Sequence, residues 1–180
     1  LNQRLSEIGS LRGEFEQITE GAFRSSNITY KGQLWIGRPY QFRVETTVPS
    51  AQSLVSDGQD FWSYDEDLEQ VVISHLNKDL GEVPILLFSS NMESIEAAYS
   101  ISGYSDEGYD YFLLEPGSDI SLFRSLLIEF KGQVPASIRI NAATGEQSII
   151  SLNHVVLNEK LHEDRFRFSV PDGADIIDER

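Results

Sequence analysis

The sequence predicts a mainly β protein, one long and strongly curved antiparallel sheet carrying a few short helices. Three observations predict it. Residues 30–75 run as short stretches that alternate apolar and polar positions and are joined by tight turns. The texture changes at Asn77, where Val83-Pro84-Ile85-Leu86-Leu87-Phe88 supplies an apolar, helix-like insert. Alternation then resumes at Tyr99 and continues nearly to the end. A sheet of that many strands either closes or curls.

Each element has a local reason. Residues 1–8 read as a short helix with Leu1, Leu5 and Ile8 on one face, ended by Gly9-Ser10. Residues 11–19 read as the first strand, with Leu11 and Phe15 on a shared side, and 21–29 as a polar loop or an irregular strand edge. Strands follow at 30–36 and 40–47, with Gly37-Arg38-Pro39 as the turn between them. Pro39 fixes its own φ and drives Arg38 toward an extended backbone. Residues 53–56 and 60–64 form a hairpin through Asp57-Gly58, and Asp65-Glu66-Asp67 turns the chain into 69–75. Trp35 and Trp62 are thereby read onto adjacent short strands. A helix is expected over 83–91 with Pro84 in its first turn, and a second short one over 91–98. Five strands follow at 99–104, 109–115, 122–131, 136–141 and 147–157. Phe166-Arg167-Phe168-Ser169-Val170 alternates as a last strand, and Pro171-Asp172-Gly173 closes the domain. No internal repeat or low-complexity tract divides the 180 residues, so one domain spans 1–180.

Composition narrows the function. With 29 acidic and 14 basic residues the formal net charge is −15, which argues against a nucleic-acid partner, since phosphate binding needs clustered Lys and Arg. The same charge repels anionic lipid surfaces, although acidity also simply maintains solubility. No apolar run approaches the ~18 residues of a membrane span. The absence of cysteine excludes disulfides, thiolate metal sites and a cysteine nucleophile. A chain opening at Leu1 without an apolar signal core fits removal of a signal peptide or trimming.

Catalytic patterns are thin. His75, His154 and His162 show no metal-ligand spacing, and no nucleophile elbow or phosphate loop is present. Asp65, Glu66 and Asp67 read as a solvated turn, lacking the spaced ligands of a calcium loop. Asp57 and Glu69 are the one carboxylate pair that a glycoside hydrolase could use, and Asp57 already has a role in its turn. No enzyme activity, cofactor or metal is expected.

Several pieces carry a resemblance. They are Gly32-x-Leu34-Trp35, Arg38-Pro39-x-x-Phe42, Val55-Ser56-Asp57-Gly58, Trp62-x-Tyr64, Gln70, the apolar segment after Gly81, and Phe166-x-Phe168-x-x-Pro171-x-Gly173. In this order and spacing the chain resembles the LolA family of periplasmic lipoprotein carriers over nearly its whole length. The resemblance implies an incomplete β-barrel whose short helices, over about 79–98, form a lid on a hydrophobic cavity. It implies a periplasmic monomer that takes triacylated lipoproteins from an inner-membrane ATP-binding-cassette transporter and passes them to an outer-membrane acceptor lipoprotein. The lack of cysteine separates such a carrier from the lipid-anchored acceptor of similar fold. Arg38 matches the family arginine that holds the lid closed; otherwise it is a surface arginine at a turn. A guanidinium suits the role, since its planar fork can donate to several unpaired helix-end carbonyls. Arg43 reads as structural or solvated. The cavity-wall candidates are Phe15, Trp35, Phe42, Trp62 and Tyr64; Trp35 alternates with Leu34 and Ile36, so only one of those sets can face inward. The lid candidates are Ile85, Leu86, Leu87, Phe88 and Met92, the last able to adapt to variable acyl shapes. An envelope lipid sensor, or a carrier of another lipid, stands as the alternative on the same fold. A hydrolase would need converging carboxylates in the cavity.

Overall fold

Alternating apolar positions fold most of the chain into one twelve-stranded sheet. The computed structural model describes residues 1–21, 27–76, 84–90, 92–117 and 121–180. The strands are β1 (Ser10–Glu20), β2 (Ile28–Gly37), β3 (Gln41–Val48), β4 (Gln52–Asp57), β5 (Asp60–Asp65), β6 (Gln70–His75), β7 (Tyr99–Asp106), β8 (Tyr109–Pro116), β9 (Phe123–Lys131), β10 (Val134–Ala142), β11 (Gln147–Leu157) and β12 (Asp175–Asp178). Their spatial order is β12-β6-β5-β4-β3-β2-β1-β11-β10-β9-β8-β7. Two meanders, β2 to β6 and β7 to β11, are therefore joined through β1, which pairs with both β2 and β11. Every pairing is antiparallel except β12 on β6. Among the described residues no ladder joins β7 to β12, so the curved sheet stays open.

Three short elements fill the inner face: α1 (Asn2–Ser6), a 3-10 turn at Pro84–Phe88, and α2 (Met92–Ala98). Leu5, Ile8, Leu86, Leu87, Phe88 and Ile95 are buried there against Leu34, Ile36 and Phe42 from the first meander and Leu126, Ile128 and Phe130 from the second. Glycine is required at one point of this face. An added Cβ on Gly32 would lie 1.9 Å from the backbone oxygen of Glu45, where the β2–β3 register shifts.

The first meander is buried on its outer face as well. Val55, Val71 and Ile73 are buried but stand apart from the inner core, because they occupy the alternate positions. A second 3-10 turn, Glu163–Phe166, and the chain after it lie over them. Phe166 packs on Gly37, where a Cβ would come within 3.0 Å of its ring, and Phe168 meets Tyr64 at 5.8 Å between centroids.

The structure departs from the sequence reading in four places. The helix expected over 83–91 is the 3-10 turn Pro84–Phe88 within the described residues. The amides of Ser89 and Ser90 both donate to the Leu86 carbonyl, and so do their hydroxyls, at 3.3 and 2.6 Å; these local bonds stop the turn. The strand expected at 166–170 is absent. Its alternation reflects Phe166 and Phe168 seated on the outer face, with no ladder formed. Beyond the expected end, β12 pairs with β6 although all four of its residues are exposed. Backbone bonds and the ion pairs of Arg180 with Asp60 (2.8 Å) and Asp178 (2.7 Å) secure it. Finally, Trp35 and Trp62 are not on adjacent strands: β3 and β4 lie between β2 and β5.

Candidate functional site

Arg38 sits in the turn between β2 and β3, half-buried, with each guanidinium nitrogen used. Its Nε donates to the Ile8 carbonyl at 2.8 Å, Nη2 to that of Leu5 at 2.7 Å, and Nη1 to that of Ser90 at 2.7 Å. Leu5 and Ile8 belong to α1 and the turn that ends it, and Ser90 follows the 3-10 turn. Carbonyls at such ends are short of intrahelical partners, and that of Leu5 accepts the Ile8 amide at 3.1 Å besides, so a fixed fork of donors serves three at once. Burial pushes the guanidinium pKa down from its ordinary value, and an arginine stays charged nonetheless. Two residues on, the Tyr40 amide donates to the Ser89 carbonyl at 3.2 Å. The β2–β3 turn thus holds the end of the 84–90 segment by one side chain and one amide, and the side chain joins it to α1.

The neighbouring elements are tied in as well. Arg4 on α1 pairs with Asp110 on β8 at 2.6 Å. The Ser105 hydroxyl and then Arg4 hold the Asp110 carboxyl below the usual carboxylate range. The side-chain Nδ2 of Asn2 donates to the Glu96 carboxylate on α2. Between α1, α2 and β7 lies a recess of 410 Å³, lined by Leu1, Asn2, Gln3, Glu96, Tyr99 and Ile101.

The sequence-predicted wall splits between two faces. Phe15, Phe42, Ile85, Leu86, Leu87 and Phe88 all come together on the inner face. Trp35, Trp62 and Tyr64 do not join them. Leu34 and Ile36 point inward, so Trp35 between them points out, with the Arg165 guanidinium 4.7 Å above its ring. The strand register Trp35–Arg43–Val55–Trp62–Ile73 carries the same outward face across β2 to β6, and Tyr64 stands two residues beyond Trp62. Arg43, on that face, bonds Glu45 at 2.6 Å. The side chain of Met92, and residues 79–83 of the expected lid, lie outside the described residues.

Sequence reasoning missed inner residues of equal standing. Phe61 meets Phe42 at 6.1 Å between ring centroids, and β9 contributes Leu126, Ile128 and Phe130. Phe61 alternates with Trp62, and pairing Phe42 with Ser56 and Ser56 with Phe61 would have selected it.

The chemistry of this site is apolar contact and hydrogen bonding. Asp57 and Glu69 sit at opposite ends of β5, which at ~3.3 Å per residue separates them by roughly 20 Å. The Asp57 carboxylate accepts the amides of Gln59 and Asp60, both at 2.9 Å, as an ordinary turn does. His75, His154 and His162 each face one carboxylate, and among the described residues no group of three potential metal ligands gathers. Among the same residues no helix is long and apolar enough to cross a membrane.

Comparison with known proteins fits this geometry. Residues 6–169 match the family described as "Outer membrane lipoprotein carrier protein LolA". The outer-membrane lipoprotein carrier protein of Alcanivorax borkumensis is 34% identical over 178 residues, 98% of this chain and 85% of that one. That of Hahella chejuensis is 37% identical over 150 residues, 82% of this chain and 72% of that one. Among solved structures, an uncharacterized conserved protein from Thermus thermophilus superposes with a TM-score of 0.60 at 12% identity, covering 98% of this chain and 96% of that one. A LolA superfamily protein from Nitrosomonas europaea gives 0.52 at 13% identity, over 93% and 96%. These two likenesses establish the fold.

Proposed function

Because the chain belongs to the LolA family of outer membrane lipoprotein carrier proteins, we propose that it carries lipoproteins, sheltering their acyl chains against the inner face of the sheet. In this reading the segment of about 79–98, of which 84–90 and 92–98 are described, is a lid within a single carrier domain, and Arg38 is its latch. The observation that supports it best is the three-way bond of Arg38, which joins a fixed helix, α1, to the end of the covering segment.

The energetics suit a shuttle. Without cargo, Leu86, Leu87 and Phe88 are themselves the filling of the inner face. Burying three such side chains contributes about 5–9 kcal/mol. An acyl chain entering in their place regains about 0.8 kcal/mol per methylene, so roughly six to eleven methylenes offset the displaced lid contacts. A triacylated cargo brings more than that. Loading therefore outweighs the latch, whose charged hydrogen bond to Ser90 is worth ~1.5–3 kcal/mol and sets how often the empty carrier opens. Apolar surface is thereby offered when cargo is present and hidden when it is not.

The carrier works in the periplasm as a monomer and does no covalent chemistry. It receives cargo from an inner-membrane ATP-binding-cassette transporter and delivers it to an outer-membrane acceptor lipoprotein. The net charge of −15 suits docking partners that present basic patches.

The test is displacement of a bound neutral fluorophore, N-phenylnaphthylamine, by a triacylated lipoprotein and by its unacylated form. Displacement by the acylated form alone, altered in Arg38→Leu, is the expected result. Equal displacement by both forms, or no binding of the fluorophore, refutes the proposal.

A further inference from the structure

Two side chains from different parts of the sheet bracket the C-terminal end of α1. One is Arg38. The other is Asn158, the first residue after β11. Its Nδ2 donates to the Glu7 carbonyl at 2.9 Å, and its Oδ1 accepts the Gly9 amide at 2.7 Å. Its own amide donates to the Ser10 carbonyl at 2.9 Å, which fixes Asn158 to the start of β1.

The Gly9 bond bears directly on the latch. The Ile8 carbonyl and the Gly9 N–H belong to one peptide group, which is planar and trans, so the two point in opposite directions. Asn158 holds the N–H end, and Arg38 Nε donates to the carbonyl end at 2.8 Å. Fixing one end of a rigid plane aims the other. The three dipoles, side-chain amide, peptide and guanidinium N–H, run head to tail, and each polarises the next. The surroundings are shaped for this contact. Asn158 has φ of 59°, a left-handed backbone that asparagine accepts better than most side chains. Position 9 has no side chain, and a Cβ there would come within 3.2 Å of the Asn158 oxygen.

We infer that Asn158 is a positioning residue for the Arg38 latch, aiming the Ile8 carbonyl so that the guanidinium stays docked on α1 while its Ser90 bond is made and broken. The inference rests on the reading of Arg38 as the latch. It divides the three bonds of Arg38 into two standing ones, to Leu5 and Ile8, and one that works, to Ser90.

The Tyr40 amide, bonded to Ser89, reports release of the covering segment through its hydrogen exchange. The experiment is a double-mutant cycle of Arg38→Leu and Asn158→Gly, read at that amide. Glycine tolerates the left-handed backbone, so the variant removes the side-chain bonds alone. Arg38→Leu should speed exchange about tenfold or more, and Asn158→Gly about threefold or more. In the Arg38→Leu background, Asn158→Gly should change the rate by less than about twofold, the non-additivity of residues that act as one unit. Equal acceleration in both backgrounds makes Asn158 an ordinary helix-end cap and overturns the inference. No acceleration from Arg38→Leu itself refutes the latch reading instead. Asn158→Asp keeps the acceptor for Gly9 and gives up the donor to Glu7, so it should return the rate to within about twofold of the native protein. A rate as fast as the glycine variant's would place the effect at Glu7 and likewise overturn the inference.

Discussion

Replacing Arg38 by leucine probes the latch, and its effect can be worked from the contacts. The substitution leaves the carbonyls of Ile8 and Ser90 without the guanidinium and removes one of two donors to Leu5, whose carbonyl also accepts the Ile8 amide at 3.1 Å. On the latch proposal, the bonds to Leu5 and Ile8 are common to the open and closed forms. Of the three, the Ser90 bond is the one that favours closure, and a charge-assisted hydrogen bond of this kind is worth ~1.5–3 kcal/mol. Losing it raises the open fraction by roughly tenfold to 150-fold. A ligand that binds only the open form gains apparent affinity by the same factor until opening is complete. The assay is a titration with N-phenylnaphthylamine, whose neutrality keeps the protein's charge out of the comparison. The expected result is a Kd at least about tenfold lower in Arg38→Leu. Arg38→Lys should fall between, since an ammonium lacks the planar fork that reaches three carbonyls together. A Kd within about twofold of the native protein, in a variant that still folds cooperatively, would refute this reasoning.

Three further outcomes are expected. Gly32→Ala forces a Cβ into the Glu45 backbone oxygen and should cost more than about 3 kcal/mol in urea unfolding; a loss under ~1 kcal/mol would mean the strands part easily there. Trp35 and Trp62 both stand on the outer face, so acylated cargo should leave the tryptophan emission maximum unchanged, and a clear blue shift would place an indole at the ligand. Arg180 hydrogen bonds hold the Asp178 carboxyl down at about 2, below its unfolded value, so its contribution to stability is complete above the unfolded pKa and is lost as pH falls toward 2. The urea midpoints of the native protein and Asp178→Asn should therefore differ at pH 5 and converge by about pH 2; a constant difference across that range would contradict the assignment.

The strands were legible because period-two alternation and turn chemistry are local. Asp57-Gly58 and the run 65–67 placed β4, β5 and β6 without any knowledge of the rest. The choice of face was not local. Around Trp35 and Trp62 both faces of the sheet are at least half-buried, so large side chains at odd and even positions looked alike. The deciding fact is that residues 163–168 lie over the outer face, and their own alternation imitates a strand. β12 was invisible for the opposite reason: Asp175, Ile176, Ile177 and Asp178 all remain exposed, and backbone bonds and ion pairs secure them. Arg38 was legible from its turn and the resemblance. Its geometric partner Asn158 gave no signal, because a lone asparagine after a strand has no pattern to reveal 2.7 and 2.9 Å bonds to residues some 150 positions away.

The central claim is that acyl chains enter the inner face beneath the 84–98 segment. The most direct measurement is paramagnetic broadening of methyl resonances by a fatty acid carrying a spin label near its methyl end. The methyls of Leu86, Leu87, Ile95 and Ile128 should broaden on addition of the labelled acid, while those of Val55 and Val71 on the outer face keep their intensity. Broadening confined to Val55 and Val71, or spread equally over both faces, would contradict the account.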